Sequence, residues 1–254
     1  MERNERKSKF ARNILAINLL VSFALIIPAI LLGAEDGNEF EEKGLKELKK
    51  AQERADALAE YTLTLKKQER IKGRLNPAET IFVKWKRHSM IYLKILSGKN
   101  KGREVIYVEG KNKNKMIVSP GGLLGGITIR ISPCSRIALK NNRHNIKEAG
   151  MASTIRKINS DIEKDMKKTK KTIRISYFCM EKYEGVETIH IRVEDSSYAK
   201  RTEIYLYKSS HLLCGLHSYN ESGGLIESYT YRNIKADVRL TDHDFDPKNE
   251  GYDF

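Results

Sequence analysis

The chain has 254 residues, with 47 Lys and Arg against 33 Asp and Glu, and a formal charge of +14. That length suffices for one large domain with a substantial core, and three cysteines exclude a disulfide-framework fold. The basic balance favours anionic partners (membrane surfaces, acidic polymers or nucleic acid) without choosing among them.

The first twelve residues form a basic head, and residues 14–33 are apolar apart from Asn18, Ser22 and Gly33. The run ends at Gly33-Ala34 ahead of Glu35-Asp36. Basic head, apolar run and small-residue boundary make up a secretory signal, though a run of this length also suits a bilayer span. Residues 1–34 are therefore expected to be a signal peptide or an N-terminal membrane anchor, with Pro28 breaking the helix and favouring cleavage. No Cys follows the run, which argues against a lipid anchor. Five basic residues precede it against two acidic ones, which keeps the head cytoplasmic and sends the rest outward. The expected location is periplasmic or cell-envelope, with residues 35–254 as a single domain.

From Glu39 to Glu60 the pattern is helical, with Phe40, Leu45, Leu48, Ala51, Ala55 and Leu58 on one stripe, and Gly44 weakens its first turn. Strands follow from Tyr61. YTLTLKKQERI alternates at Tyr61, Leu63 and Leu65, and ETIFVKWKR at Ile81, Val83 and Trp85. SMIYLKIL, REVIYVEG and MIVS come next, separated by Gly, Asn and Lys turns. Short strands of this spacing indicate an antiparallel meander. In REVIYVEG, Ile106 and Val108 oppose Val105 and Tyr107, so both faces are expected to be covered, or one to line a cavity.

The middle, Pro120 to Gly150, is irregular, and Gly121 to Gly126 has the composition of a mobile flap. It does not read as a phosphate cradle, because no Lys-Ser/Thr follows and no helix opens there. Ala152 to Lys168 is helical, with Met151, Ile155, Ile158, Ile162 and Met166 in phase and Lys residues at its end. Strands resume at TIRISYFCMEK and VETIHIRVED and end in a hairpin, RTEIYLY to LIESYTYRNIKADV, turning at Asn220 to Gly224. This last stretch is expected to close the edge of the sheet. In up-and-down order the strands of Cys179 and Cys214 lie three places apart, about 14 Å, beyond disulfide reach. The reading is α+β, mainly antiparallel β, with about ten strands and two or three helices.

Three phrases carry a resemblance: Tyr61 with Gln68-Glu69-Arg70 and Gly73, the run KGREVIYV (101–108), and the ending TYRNIKADVRLTDHDFDP. Over roughly residues 55–254 the chain resembles an uncharacterised family of exported bacterial proteins, domain of unknown function 1571. It departs from the family pattern at Ser132-Pro133-Cys134, where an acidic or Gly residue is expected. The family looks like a relative of the periplasmic lipoprotein carriers and lipid-sensing anti-sigma regulators. The resemblance therefore implies a curved, open half-barrel with helices packed on its concave face. It implies no catalytic residues.

The chemistry is otherwise sparse. Asp242-His243-Asp244 points in alternate directions and makes a poor metal site, and Phe245 is expected to tie that segment to the sheet. No nucleophile motif accompanies the scattered histidines. Cys134, beside Pro133 in a loop, reads as an incidental small residue, with a reactive thiol as the alternative. The expectation is no enzyme, metal or cofactor. Basic turns fall on both rims of the meander, which argues against a nucleic-acid groove. The expected function is binding or carriage of a hydrophobic ligand, a lipid or acyl chain, in the hollow. Its expected lining is Ile81, Val83, Trp85, Ile91, Leu93, Leu123, Leu124, Ile155 and Ile158. The alternative is an envelope protein-interaction or sensor module with no bound ligand. An anionic membrane surface is a further candidate partner.

Overall fold

The computed structural model describes residues 27–122 and 126–254, with side chains placed from residue 38 onward except at Cys179. Helix α1 (Ile27–Ala57) leads into β1 (Glu60–Ile71), β2 (Arg74–Leu75), β3 (Glu79–Lys86), β4 (Met90–Ser97), β5 (Glu104–Val108), β6 (Met116–Ser119) and β7 (Ile129–Ile131). After the short α2 (Arg136–Leu139) and the long α3 (Met151–Met166) come β8 (Arg174–Tyr183), β9 (Val186–Glu194), β10 (Arg201–Tyr207), β11 (Leu213–Tyr219) and β12 (Leu225–Ala236).

The strands form one open antiparallel sheet in the order β7-β6-β5-β4-β3-β1-β12-β11-β10-β9-β8, with β2 pairing off β1. It is a curved half-barrel of twelve strands rather than about ten. The chain steps outward from β1 to β7 and crosses the concave face through α3. It re-enters at the far edge with β8 and steps back inward. The last strand is therefore central: β12 pairs with β1 from Tyr61↔Ala236 to Glu69↔Glu227. The expectation that the C-terminal hairpin closes an edge is corrected here. Once β8 sits at the far edge, each hairpin brings the next strand one place inward, and β12 arrives beside β1, a strand of the same length. The Asn220–Gly224 turn does form, with Asn220 Oδ1 accepting from the Gly224 amide at 2.7 Å.

Alternation sorts the side chains onto two covered faces. On the concave face Leu63, Ile81, Val83, Ile191, Ile204, Leu216 and Tyr231 join Leu48, Ala51 and Ala55 of α1 and Met151, Ile155 and Ile162 of α3 in the main core. The helix stripes are as expected except at their outer ends, where Phe40 and Met166 are exposed. Gly44 has a packing role: a Cβ there would lie 2.7 Å from Ile175 Cγ2, so the missing side chain lets α1 settle on β8. The described part of α1 runs through Pro28 and across Ala34-Glu35, so Pro28 does not end it. No described helix is long and apolar enough to cross a membrane.

The apolar residues on both faces of β4 to β6 are explained by two covers. Segment 129–149, expected to be irregular, supplies β7, α2 and a 3-10 turn at Ile146–Glu148, and it packs over Ile91, Tyr107, Met116 and Val118. On the convex face the C-terminal tail lays Val238, Leu240, Phe245, Tyr252 and Phe254 over Tyr92, Ile106, Val108 and Ile117. Asp242–Phe245 forms a 3-10 turn with a Thr241–Asp244 capping box, and Phe245 is buried as the tie.

The convex face of the other half is strapped by the β8–β9 hairpin. Tyr183 lies over Gly215 of β11, where a Cβ would meet its ring at 2.6 Å. Its hydroxyl pairs with Thr230 Oγ1 at 2.8 Å and His217 Nε2 at 2.9 Å, and Glu184 pairs with Arg232 at 2.8 Å. The strands of Cys179 and Cys214 are three places apart, as the strand order implied. Cys214 is a buried free thiol that accepts from Arg232 Nη1 at 2.9 Å, and Cys134 is an exposed one.

Candidate functional site

The hollow under α3 is unevenly filled. Above β1 and β3 it is solid core. Above β9 to β12 a cavity of about 370 Å3 remains, a volume within the usual range for ligand pockets. Its floor is Val193, Leu216 and Tyr229, its roof Ile158 and Ile162 of α3, and Ile173 closes one side. The periodicity of α3 puts residues 154, 158 and 161–162 on that roof, one helical face over three turns.

One end of the cavity is polar. Glu227 faces inward from β12, is 4% exposed, and gathers four contacts on a single oxygen, Oε2. Tyr198 Oη donates at 2.6 Å, His144 Nε2 lies at 2.9 Å, Tyr229 Oη lies at 3.3 Å and Arg143 Nε lies at 3.5 Å. His144 Nδ1 reaches Glu148 at 3.1 Å, so both ring nitrogens face carboxylates. Glu69, the cross-strand neighbour of Glu227, accepts from Tyr229 Oη at 2.5 Å and from the Arg143 amide at 3.1 Å.

The electrostatics follow from this geometry. The hydrogen bond to Glu227 raises His144 above its ordinary value, and burial works against it. Burial pushes Glu227 up, but the hydrogen bonds from His144 and Tyr198 outweigh it and hold the carboxyl below its ordinary value. Burial and Glu227 raise Tyr198, which stays a neutral donor. The cluster latches segment 142–148 to the sheet at the cavity mouth.

The residues expected to line a hollow take different places. Ile81, Val83 and Ile155 belong to the filled core, and Ile91 lies in the smaller core under segment 129–149. Leu93 is half-buried where the two cores meet. Trp85 stacks on Tyr61 with centroids 5.0 Å apart and borders a second space of about 330 Å3 among Asp56, Arg87, Lys147 and Arg156. Of the nine, Ile158 lines the 370 Å3 cavity. Leu123 and Leu124 lie outside the described residues. Sequence reasoning missed the polar end altogether, although a signal existed. Glu227 shares its inward phase with Tyr229 and Tyr231, and a carboxylate on a core-facing register marks either a site or a buried network. Among the described residues no three His, Cys, Asp or Glu converge to hold a metal ion.

A family model described as "Protein of unknown function (DUF1571)" matches residues 58–254. No curated protein matches the chain. Among solved structures the chain is similar to an uncharacterized conserved protein from Thermus thermophilus, at 7% identity and a TM-score of 0.45, covering 79% of this chain and 90% of that one. It is also similar to the Mycobacterium tuberculosis lipoprotein LppX, at 12% identity and a TM-score of 0.47, covering 79% and 100%. A third is MucB in its Pseudomonas aeruginosa complex with MucA, at 14% identity and a TM-score of 0.46, covering 80% and 60%. Likeness at this level carries no ligand or partner across.

Proposed function

The chain belongs to the DUF1571 family of proteins of unknown function, and we propose that this member is an exported envelope protein that holds a hydrophobic ligand, a lipid or acyl chain, under α3. The observation that carries the reading is the unfilled 370 Å3 space, walled by Ile158, Ile162, Ile173, Val193 and Leu216. A concave, mostly apolar space of this size with a few polar groups at one end is the usual form of a small-molecule site. An acyl chain entering it gains about 25 cal/mol for every Å2 taken out of water. The walls are already placed by sheet and helix, so little ordering is lost on binding. The reading assigns no catalytic step.

Native mass spectrometry and lipid extraction of the purified protein test it, together with uptake of a fluorescent fatty acid. The expected result is a bound lipid or saturable uptake, weakened in Ile158→Trp, whose indole narrows the cavity from its roof while the circular dichroism spectrum stays unchanged. No bound lipid and no uptake by the wild type refutes it. N-terminal sequencing of the mature protein tests export: a start at Glu35 gives a free carrier, and an intact Met1 in the membrane fraction gives a tethered sensor.

A second reading, docking of an envelope protein, is favoured by one observation. Ile127, Ile129 and Ile137 are exposed beside the edge strand β7. Ile137→Asp combined with Ile129→Lys is expected to abolish partner recovery from envelope extracts and to leave fatty-acid uptake intact.

A further inference from the structure

The concave face carries one polar row across otherwise apolar strands. Glu69, Glu227, Ser218 and Thr202 are direct cross-strand partners on β1, β12, β11 and β10, and the row ends on Val193 of β9. One step along, the corresponding row runs Tyr229, Leu216, Ile204, Ile191. Ser218 and Thr202 are buried, and their hydroxyls lie 3.3 Å apart. Each hydroxyl has one donor and two acceptor positions, so that single bond leaves capacity on both. All four contacts on Glu227 fall on Oε2, and Oε1 has no partner among the described residues. Glu227, Ser218 and Thr202 all line the cavity. That oxygen belongs to a residue lining the cavity, and a carboxylate oxygen only accepts, so a ligand group that donates suits it.

The charges around this end limit what the donor can belong to. His144 is committed at both nitrogens to Glu227 and Glu148. Arg143 donates to Tyr198 at 2.9 Å and to the Arg70 carbonyl at 2.9 Å. Asp161 and Glu148 add further carboxylates to the lining. Lys157 remains, with its Nζ 4.8 Å from the Tyr198 ring centroid. A free fatty acid would bring a second acceptor-only carboxylate against Glu227 Oε1. A hydroxyl can donate to Oε1 and accept from Ser218 or Thr202 in return.

Resting on the acyl-chain reading above, we propose that the ligand has an uncharged, hydroxyl-bearing head, a monoacylglycerol-type ester, bound by Glu227, Ser218 and Thr202. The apolar tail lies against Ile158, Ile162, Ile173 and Val193. The row thus selects the head and the α3 roof holds the chain.

Displacement of a fluorescent fatty-acid probe by 1-monolaurin and by laurate at neutral pH tests this, since the two share one acyl chain and differ in the head. The wild type is expected to bind monolaurin about tenfold or more tightly than laurate, the scale of one hydrogen bond to a charged group. The pair Ser218→Ala with Thr202→Val should bring the two affinities within about threefold by weakening monolaurin alone. Laurate binding as tightly as monolaurin to the wild type overturns the proposal and leaves the acyl-chain reading standing. So does a laurate affinity that collapses in Lys157→Ala while monolaurin is unaffected, or a preference unchanged in the double variant. Failure of monolaurin and laurate alike to bind the wild type, read directly by isothermal titration calorimetry, removes both readings.

Discussion

Gly215→Ala is a change that strand propensity and tertiary packing judge with opposite signs. Its φ is not in the left-handed region, so a methyl group there is unstrained and would gain about 0.5–1 kcal/mol from reduced chain entropy. The added Cβ, however, would sit 2.6 Å from Cε1 and 2.7 Å from Cζ of Tyr183. The ring must move, and it is held at three points. Two are the hydroxyl contacts to Thr230 and His217, and the third is a stack on Tyr205 with centroids 4.3 Å apart. Two hydrogen bonds at about 1 kcal/mol each and a stack of about 0.5–1 kcal/mol outweigh the propensity gain. The net expected loss is about 1.5–2 kcal/mol, read by urea denaturation at constant m-value. In a Tyr183→Ala background the same change meets no ring and should stabilise by about 0.5 kcal/mol. The double-mutant cycle therefore isolates a coupling of about 2 kcal/mol. An equal cost for Gly215→Ala in both backgrounds would refute the placement of the β8–β9 hairpin over the convex face.

Phe245→Ala should cost about 3–5 kcal/mol by thermal or urea unfolding, because it removes the anchor of the tail over Tyr92, Ile106 and Ile117; a loss below about 1 kcal/mol would mean that the tail is dispensable. Glu104 is fully buried, with Lys94 Nζ 2.6 Å from Oε1. Lys94→Met should cost about 2–3 kcal/mol, allowing for the partly exposed lysine, and Lys94→Met with Glu104→Leu should recover most of it. The His144–Glu227 latch predicts a pH window. The His144 value is raised above 6.5, so its contribution is complete below that pH and is lost as pH rises through the folded value. Glu227 is lowered below 4.5, so its contribution is complete above that pH and is lost as pH falls through the folded value. The Tm difference between wild type and His144→Asn should peak between these two values and shrink in mild alkali, and a pH-independent difference would remove the ion pair from the argument.

What the sequence determined by itself is what short-range periodicity encodes. The α1 and α3 stripes, the inward phase of Ile81 and Val83, the two-faced apolar character of β5 and the tie at Phe245 are local patterns, and each recurs in the fold. The phrases KGREVIYV and LTDHDFDP likewise placed the chain in its family. What only the tertiary structure decided are the relations between distant segments. Periodicity states which face a strand buries but not which strand lies beside it, so the pairing of β12 with β1 was invisible. For the same reason the expected lining fell on Ile81, Val83 and Ile155, which the descent of α3 fills solid, while the space opened over β9 to β12. The polar row is the clearest case. Glu69, Thr202, Ser218 and Glu227 stand up to 158 positions apart in the chain and become neighbours only through register, which no local pattern records.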